Sequence, residues 1–439
     1  MQTDRVVWYN PRPITTDACR VCGNTHHNHL ILTVAHWATD LGVMDVAKCG
    51  DCGSAWFPNM ERFLVPYPDT QIILQDPDFP YYIYHYLEIV GGLDWKVSLL
   101  ERLPFAQFRS VLEIGCNAGV TLDYCRTQWN AETVIGLEPS AYGVMGSRLL
   151  EIPILPQYLH EATSIHDQPF DFIYATEVLE HVPDPLAFLQ EIKRSLTPDG
   201  ILLLTTPRAG ALNLQTPAGE LLAALSPGAH YFLLSPEKLA DLASQAGFAW
   251  CHIEPFGMTQ VCVLADHPVT LANHVWATPR IRDYYQRKTS QTVADARVLL
   301  GHWLNYHTYT CQMELPVEAT VIAEIETALQ TLFDIDLAQP QGLLERVAAT
   351  DSLVNLGKVM PYALPYYLYW RGGDYLPVAK LLVLQGLQVD FQNLFVYDAL
   401  LDKIREAQPL QAQAPTSLYQ RFQSQLKRFS DRLVRHNHD

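Results

Sequence analysis

Val111-Leu-Glu-Ile-Gly-Cys-Asn-Ala-Gly-Val120, followed at positions 134 to 140 by Val-Ile-Gly-Leu-Glu-Pro-Ser, decides how this chain is read. A short apolar run, a glycine-bearing turn and a helix start are succeeded by a second apolar run that ends in a carboxylate. The order predicts strand, loop, helix and strand, which is the layout of a nucleoside pocket. Glycines let the backbone approach a ligand closely, and an acidic residue about 20 positions on suits two ribose hydroxyls. Dinucleotide enzymes space such glycines as G-x-G-x-x-G to seat a pyrophosphate, whereas Gly115 and Gly119 bracket Cys116, Asn117 and Ala118.

With the later run Phe170-Asp-Phe-Ile-Tyr-Ala-Thr-Glu-Val-Leu-Glu-His-Val-Pro-Asp-Pro185, the region resembles the class I S-adenosylmethionine-dependent methyltransferases. The resemblance implies an α/β, Rossmann-like core of seven strands over 106–265 with S-adenosyl-L-methionine as cofactor. It also implies a cofactor-binding set. Glu113 corresponds to the family's acidic residue near the methionine end, and Gly115, Cys116, Asn117 and Gly119 form the loop. Glu138 with Pro139 serves the ribose, and Thr176 and Glu177 lie at the carboxyl end of the fourth strand. Asn117 stands where many relatives carry a third glycine, a mild departure because Asn enters left-handed backbone readily. Leu159, with Tyr158 before it, occupies the position where many relatives place an acidic residue on adenine, which leaves the adenine to apolar contact and backbone groups.

Strands are expected at Ser110 to Ile114, Ile152 to Gln157, Phe170 to Ala175 and Ile201 to Pro207, with a turn at 197–200. A closing hairpin is expected from Ala249 to Leu264, and a substrate lid at 208–230. Glu177, Glu180 and His181 fall at i, i+3 and i+4, so one helical face could carry all three. The ubiquinone-pathway O-methyltransferases share this spacing and are thought to bind a divalent ion with it, but the same run is widespread among methyltransferases without a metal. A hydroxyl acceptor needs a base, and His181 and His230 are the catalytic candidates. A structural role is the plain alternative for each.

Cys19-Arg-Val-Cys22-Gly and Cys49-Gly-Asp-Cys52-Gly each place two thiols two residues apart with a glycine directly after. Such turns can aim two sulfurs at one ion, and glycine tolerates the positive φ of the knuckle. The arrangement over 1–65 resembles a zinc ribbon, with Cys19, Cys22, Cys49 and Cys52 as ligands of a structural Zn²⁺. Four thiolates leave no open coordination position. Disulfides or a redox pair are the alternatives, and they fit a cytosolic chain with two matched pairs less well. His26, His27 and His29 are read as loop residues.

The chain has 439 residues, 49% of them hydrophobic and 18% charged, which is ample for buried cores and, on length, for roughly three domains. No apolar run approaches the roughly 20 residues of a membrane-spanning helix, and a cytoplasmic location is the default expectation. A net charge of −17 opposes a phosphate backbone, so nucleic acid is a disfavoured substrate. Pro80-Tyr-Tyr-Ile-Tyr-His-Tyr86 lies in a cap segment, 66–105, whose Tyr81, Tyr82, Tyr84 and Tyr86 are candidates for lining the pocket. Residues 266–410 show helical periodicity and form a separate domain that could cap the site, pair protomers or dock a partner. The last segment, 411–439, carries a basic amphipathic helix that could touch a membrane surface, coil against a partner or stand solvated.

These features predict methyl transfer to a small-molecule or glycan acceptor. A zinc ribbon before such a core resembles the sugar C-methyltransferases in architecture. The Tyr-His-Glu-His run those enzymes carry after the fifth strand is absent, which favours a hydroxyl oxygen as acceptor. RNA methylation and a degenerate scaffold are the other readings. Acidic charge opposes the first, and intact Gly115, Gly119 and Glu138 oppose the second.

Overall fold

The computed structural model describes residues 5–14, 17–36, 41–58, 60–64, 69–104, 108–165, 168–273, 275–389 and 394–407. The basic helix expected at 411–439 lies outside them. The chain divides into two compact units, one of residues 1–75 and 101–273 and the other of 76–100 and 274–439.

The first unit holds two sheets. β1 (Val6–Ile14), β2 (Asn28–Ala35), β3 (Val43–Cys49) and β4 (Ala55–Trp56) pair antiparallel in sequence order. β5 (Ser110–Ile114), β6 (Thr133–Leu137), β7 (Ile154–Leu155), β8 (Phe170–Thr176) and β9 (Leu196–Pro207) follow. β10 (Phe232–Leu233), β11 (Trp250–Phe256) and β12 (Thr259–Ala265) complete the set. The larger sheet has the order β11-β12-β9-β8-β5-β6-β7, with β9, β8, β5, β6 and β7 parallel and β12 antiparallel to both β9 and β11. This is the expected seven-stranded core. β5 lies between β6 and β8, so Val111 to Ile114 are buried on both faces, which is why the strand reads as an almost unbroken apolar run.

Helices Val120–Gln128, Ala141–Leu150, Pro185–Arg194 and Pro236–Gln245 connect the strands. Ser140, Asp184 and Ser235 cap the last three, each side chain accepting a backbone N–H of the first turn. Those bonds satisfy donors that a helix start otherwise leaves open.

Local readings shift in several places. β9 spans Leu196–Pro207, so the expected turn at Thr197-Pro-Asp-Gly200 falls inside the strand span, between the Phe170–Leu196 and Phe172–Ile201 pairs. Its pairing with β8 carries an irregularity between Phe170 and Phe172, which absorbs the local turn preference. The third core strand shortens to Ile154–Leu155. β10 pairs with β4 and joins the N-terminal sheet, so both sheets lie within one compact unit.

The second unit is helical, as expected, but it also includes 76–100. Helix Phe79–Glu88 puts Tyr81 and Tyr84 over the Arg297 guanidinium, at 5.4 and 4.4 Å from their ring centres. Tyr84 also donates to Asp295 (2.8 Å). The cap segment is thus corrected: these tyrosines are committed to a buried cation of the helical unit. Tyr82 and Tyr86 are exposed. Among the described residues no helix is long and apolar enough to cross a membrane.

Candidate functional site

The loop after β5 is built by backbone. Gly115 and Asn117 take positive φ values of 70° and 50°, and Gly119 at 78° starts the following helix. The Asn117 N–H donates to Glu138 Oε2 (3.1 Å) and the Ser140 N–H to Glu138 Oε1 (3.0 Å), so the carboxylate at the end of β6 clasps the loop. Each oxygen retains capacity to accept a further hydroxyl. Cys116 is buried, and a Cβ at Gly136 would stand 2.5 Å from its sulfur, so its side chain is packing. Glu113 is buried beneath the loop.

Two glycines the sequence reading passed over belong here. A Cβ at Gly143 would stand 2.8 Å from Glu138 Cβ, and one at Gly146 would overlap the Ala118 carbonyl. Helix Ala141–Leu150 therefore lies directly on the loop. The signal was available as Gly-x-x-Gly just after Glu138, three residues apart on one helical face. The Leu159 side chain is buried in the core cluster, while Tyr158 beside it is exposed. Pro139 is tied to the segment before the core by the Thr70 hydroxyl, which donates to its carbonyl (3.2 Å).

At the carboxyl end of β8, Thr176 is buried and Glu177 has φ 53°. Glu177 Oε1 accepts from the Thr205 and Thr259 hydroxyls, each at 2.8 Å. Leu179–His181 is a short 3-10 turn, so the expected face shared by Glu177, Glu180 and His181 does not form. Glu180 and His181 meet His230 instead, across about 50 residues of chain. Glu180 is fully buried, and its Oε2 accepts from the Thr206 hydroxyl (2.9 Å). Its Oε1 has no hydrogen-bond partner and lies 3.8 Å from His230 Nε2 and 4.0 Å from His181 Nε2. The two rings meet edge to face with centres 4.5 Å apart.

The imidazoles are oriented from behind. His230 Nδ1 is 2.8 Å from the Ala224 carbonyl and His181 Nδ1 is 3.2 Å from the Ala229 carbonyl. A carbonyl only accepts, so each Nδ1 carries the proton and each Nε2 presents a lone pair. Burial pushes the His230 imidazole down to about 3, helped by the neighbouring His181, and burial lowers His181 as well. Burial also raises the Glu180 carboxyl well above its usual range, with the Glu177 charge adding to it. Three acceptors thus converge on one small space, a set that a proton on Glu180 or a bound cation would reconcile.

The four N-terminal cysteines also converge. Cys19 and Cys52 sulfurs are 3.8 Å apart, Cys22 and Cys49 sulfurs 3.7 Å, and all four lie within 4.8 Å of one another. Thiolates about 2.3 Å from one tetrahedral ion stand about 3.8 Å apart, so the donor set fits Zn²⁺. Gly23 and Gly53 take φ values of 73° and 71° as the knuckle demands, and their N–H groups donate to the Cys19 and Cys49 carbonyls. His26, His27 and His29 stand outside the sulfur cluster.

A methyltransferase-domain family model matches residues 93–253. The ubiquinone biosynthesis O-methyltransferase of Dinoroseobacter shibae is 30% identical over 218 residues, 46% of this chain and 81% of that protein. The enzyme of the same description from Xanthomonas campestris is 33% identical over 176 residues, 38% of this chain and 71% of that protein. Among solved structures, an O-methyltransferase family protein from Burkholderia thailandensis is 13% identical, covering 46% of this chain and 63% of that one with a TM-score of 0.38.

Proposed function

The chain belongs to the S-adenosylmethionine-dependent methyltransferases, and from that premise we propose that it methylates a hydroxyl oxygen of a small acceptor. The carrying observation is the buried Glu180 with two Nδ1-anchored imidazoles beside it, a proton acceptor at the carboxyl edge of the parallel sheet. When bound, the cofactor supplies a methyl made electrophilic by its sulfonium. The residues then have two tasks. Glu138 accepts the ribose hydroxyls while the Gly115 to Gly119 loop orients the nucleoside, with Thr176 and Glu177 at the strand end beside it. His230 or His181 takes the acceptor's hydroxyl proton on Nε2, and Glu180 supports the imidazolium as it forms.

The relatives' description supports oxygen over carbon as the acceptor atom and favours a hydroxylated precursor of ubiquinone type; a glycan or sugar-nucleotide hydroxyl is the alternative class. The convergence of three acceptors favours a second reading, in which Glu180, His181 and His230 hold a divalent cation. Radiolabelled S-adenosylmethionine incubated with catechols, other hydroxylated aromatics and nucleotide sugars tests the proposal. Label on an ether oxygen supports it, and label on carbon or on RNA contradicts it. Loss of turnover on chelation with recovery on Mg²⁺ alone would establish the second reading.

A further inference from the structure

We propose that the cysteine-bound N-terminal sheet positions His230, so that occupancy of the four-sulfur site governs whether this imidazole stands against Glu180. The proposal rests on the reading of His230 as part of the methyl-transfer site. The N-terminal sheet touches the chain on both sides of His230. Before it, Gly228 has φ 97° and fits directly beneath the buried His36 ring, which a Cβ there would overlap. His36 is itself anchored through Nε2 to the Phe63 carbonyl (3.0 Å). After it, β10 pairs with β4, Phe232 opposite Trp56 and Leu233 opposite Ala55.

The second metal knuckle reaches further still. The Ser235 hydroxyl donates to the carbonyl of Cys52 (2.6 Å), and the Ser235 N–H donates to the Ser54 hydroxyl (3.2 Å). Between these anchors, the Tyr231 N–H donates to the Glu180 carbonyl (2.8 Å) and the Arg20 guanidinium, beside Cys19, lies over the Tyr231 ring. One short strand thus bonds to the catalytic turn through Tyr231 and to the cysteine sheet through Phe232, Leu233 and Ser235. Loosening the knuckle removes the Cys52 carbonyl from Ser235 and the β4 edge from β10. The glycine loop and Glu138 are built from β5 and β6 and share none of these bonds.

Hydrogen exchange on the full-length zinc-loaded protein, before and after zinc extraction by a chelator, tests the coupling. Amides of 229–235 should exchange at least about ten-fold faster without zinc, while those of 111–119 and the affinity for S-adenosylhomocysteine hold within about two-fold. Unchanged protection of 229–235, or purified protein without stoichiometric zinc, would overturn it. As a second arm, Ser235→Ala should lower kcat toward a catechol acceptor with KM for S-adenosylmethionine unmoved, and Ser235→Thr should restore it. Equal kcat in the two variants counts against the positioning role. Failure to bind S-adenosylhomocysteine at all would sink the methyl-transfer reading and leave the exchange result standing by itself.

Discussion

Glu88 in the helical unit and Glu180 in the sheet unit are both fully buried, and their surroundings differ in one decisive respect. Glu88 is saturated. Arg297 donates to both its oxygens, at 2.5 and 3.1 Å, and the Tyr362 N–H adds a third bond at 2.7 Å. The Arg297 guanidinium is in turn bonded to the Gly357 carbonyl and flanked by Tyr81, Tyr84, Phe333 and Tyr362. Glu180 has one hydroxyl on one oxygen and two neutral imidazoles facing the other beyond hydrogen-bond distance. A buried charge with both oxygens hydrogen-bonded and its counterion beside it belongs to the architecture. A buried carboxyl left half satisfied, and raised in pKa for it, is held ready for a proton or a ligand.

The sharpest break would come from neutralising each carboxylate in turn. Glu88→Gln leaves the Arg297 charge buried without its counterion and should destabilise the protein by about 3–5 kcal/mol in denaturant unfolding. Glu180→Gln removes no such counterion. It should change stability by no more than about 1 kcal/mol while lowering kcat by about 10²-fold or more, as loss of a group that supports a proton acceptor does. If Glu180→Gln unfolds the protein as readily as Glu88→Gln, the contrast is wrong. At the cofactor loop, Glu138→Ala should weaken S-adenosylhomocysteine binding by at least about ten-fold in calorimetry, with kcat per bound cofactor less affected than in Glu180→Gln.

A smaller effect sharpens the comparison through pH. His230, pushed down to about 3 by burial, is neutral in the fold, whereas the unfolded chain takes up that proton near the usual value of about 6.5. The unfolded state therefore binds more protons between these values, and the stability is present above pH 6.5 and is lost as pH falls toward 3. Glu180, raised in the fold, contributes in the opposite sense, with stability present below its ordinary value of 4.5 and lost as pH rises through its folded value. His230→Gln should flatten the fall in Tm between pH 6.5 and 5 relative to wild type. Methyl transfer, needing a neutral imidazole, should keep its rate below pH 6, and a pH profile that drops at 6.5 would contradict the buried state of His230.

The difference between the two units also bears on what the residues alone could reveal. The glycine loop and Glu138 were legible because strand, turn, helix and strand are local, and spacing along the chain carries the geometry. Glu180 and His181 were visible as a pair, but their partner was not. Glu177 follows Thr205 and Thr259 because its left-handed backbone turns it away, and no spacing rule predicts that. His230 arrives through a two-residue strand whose partner, β4, lies about 175 positions earlier, a non-local pairing without a local signature. Thr197-Pro-Asp-Gly200 keeps its turn chemistry inside a strand: β8 pairs with Leu196 and again from Ile201, and the four residues between are skipped as an irregularity that no spacing rule places within a strand. The aromatic run at 80–86 showed neither its helix nor its allegiance, because only the buried Arg297 some 210 residues away explains why Tyr81 and Tyr84 are there.

The central claim is that one unit divides its labour between a cofactor loop clasped by Glu138 and a proton-accepting pocket built on Glu180. The most direct test is calorimetric titration of zinc-loaded wild type, Glu138→Ala and Glu180→Gln with S-adenosylhomocysteine, paired with turnover on a catechol acceptor. Wild type should bind in the micromolar range and turn over, Glu138→Ala should lose binding, and Glu180→Gln should bind like wild type and fail to turn over. Absence of binding by folded wild type, or an equal loss of binding in both variants, would contradict the account.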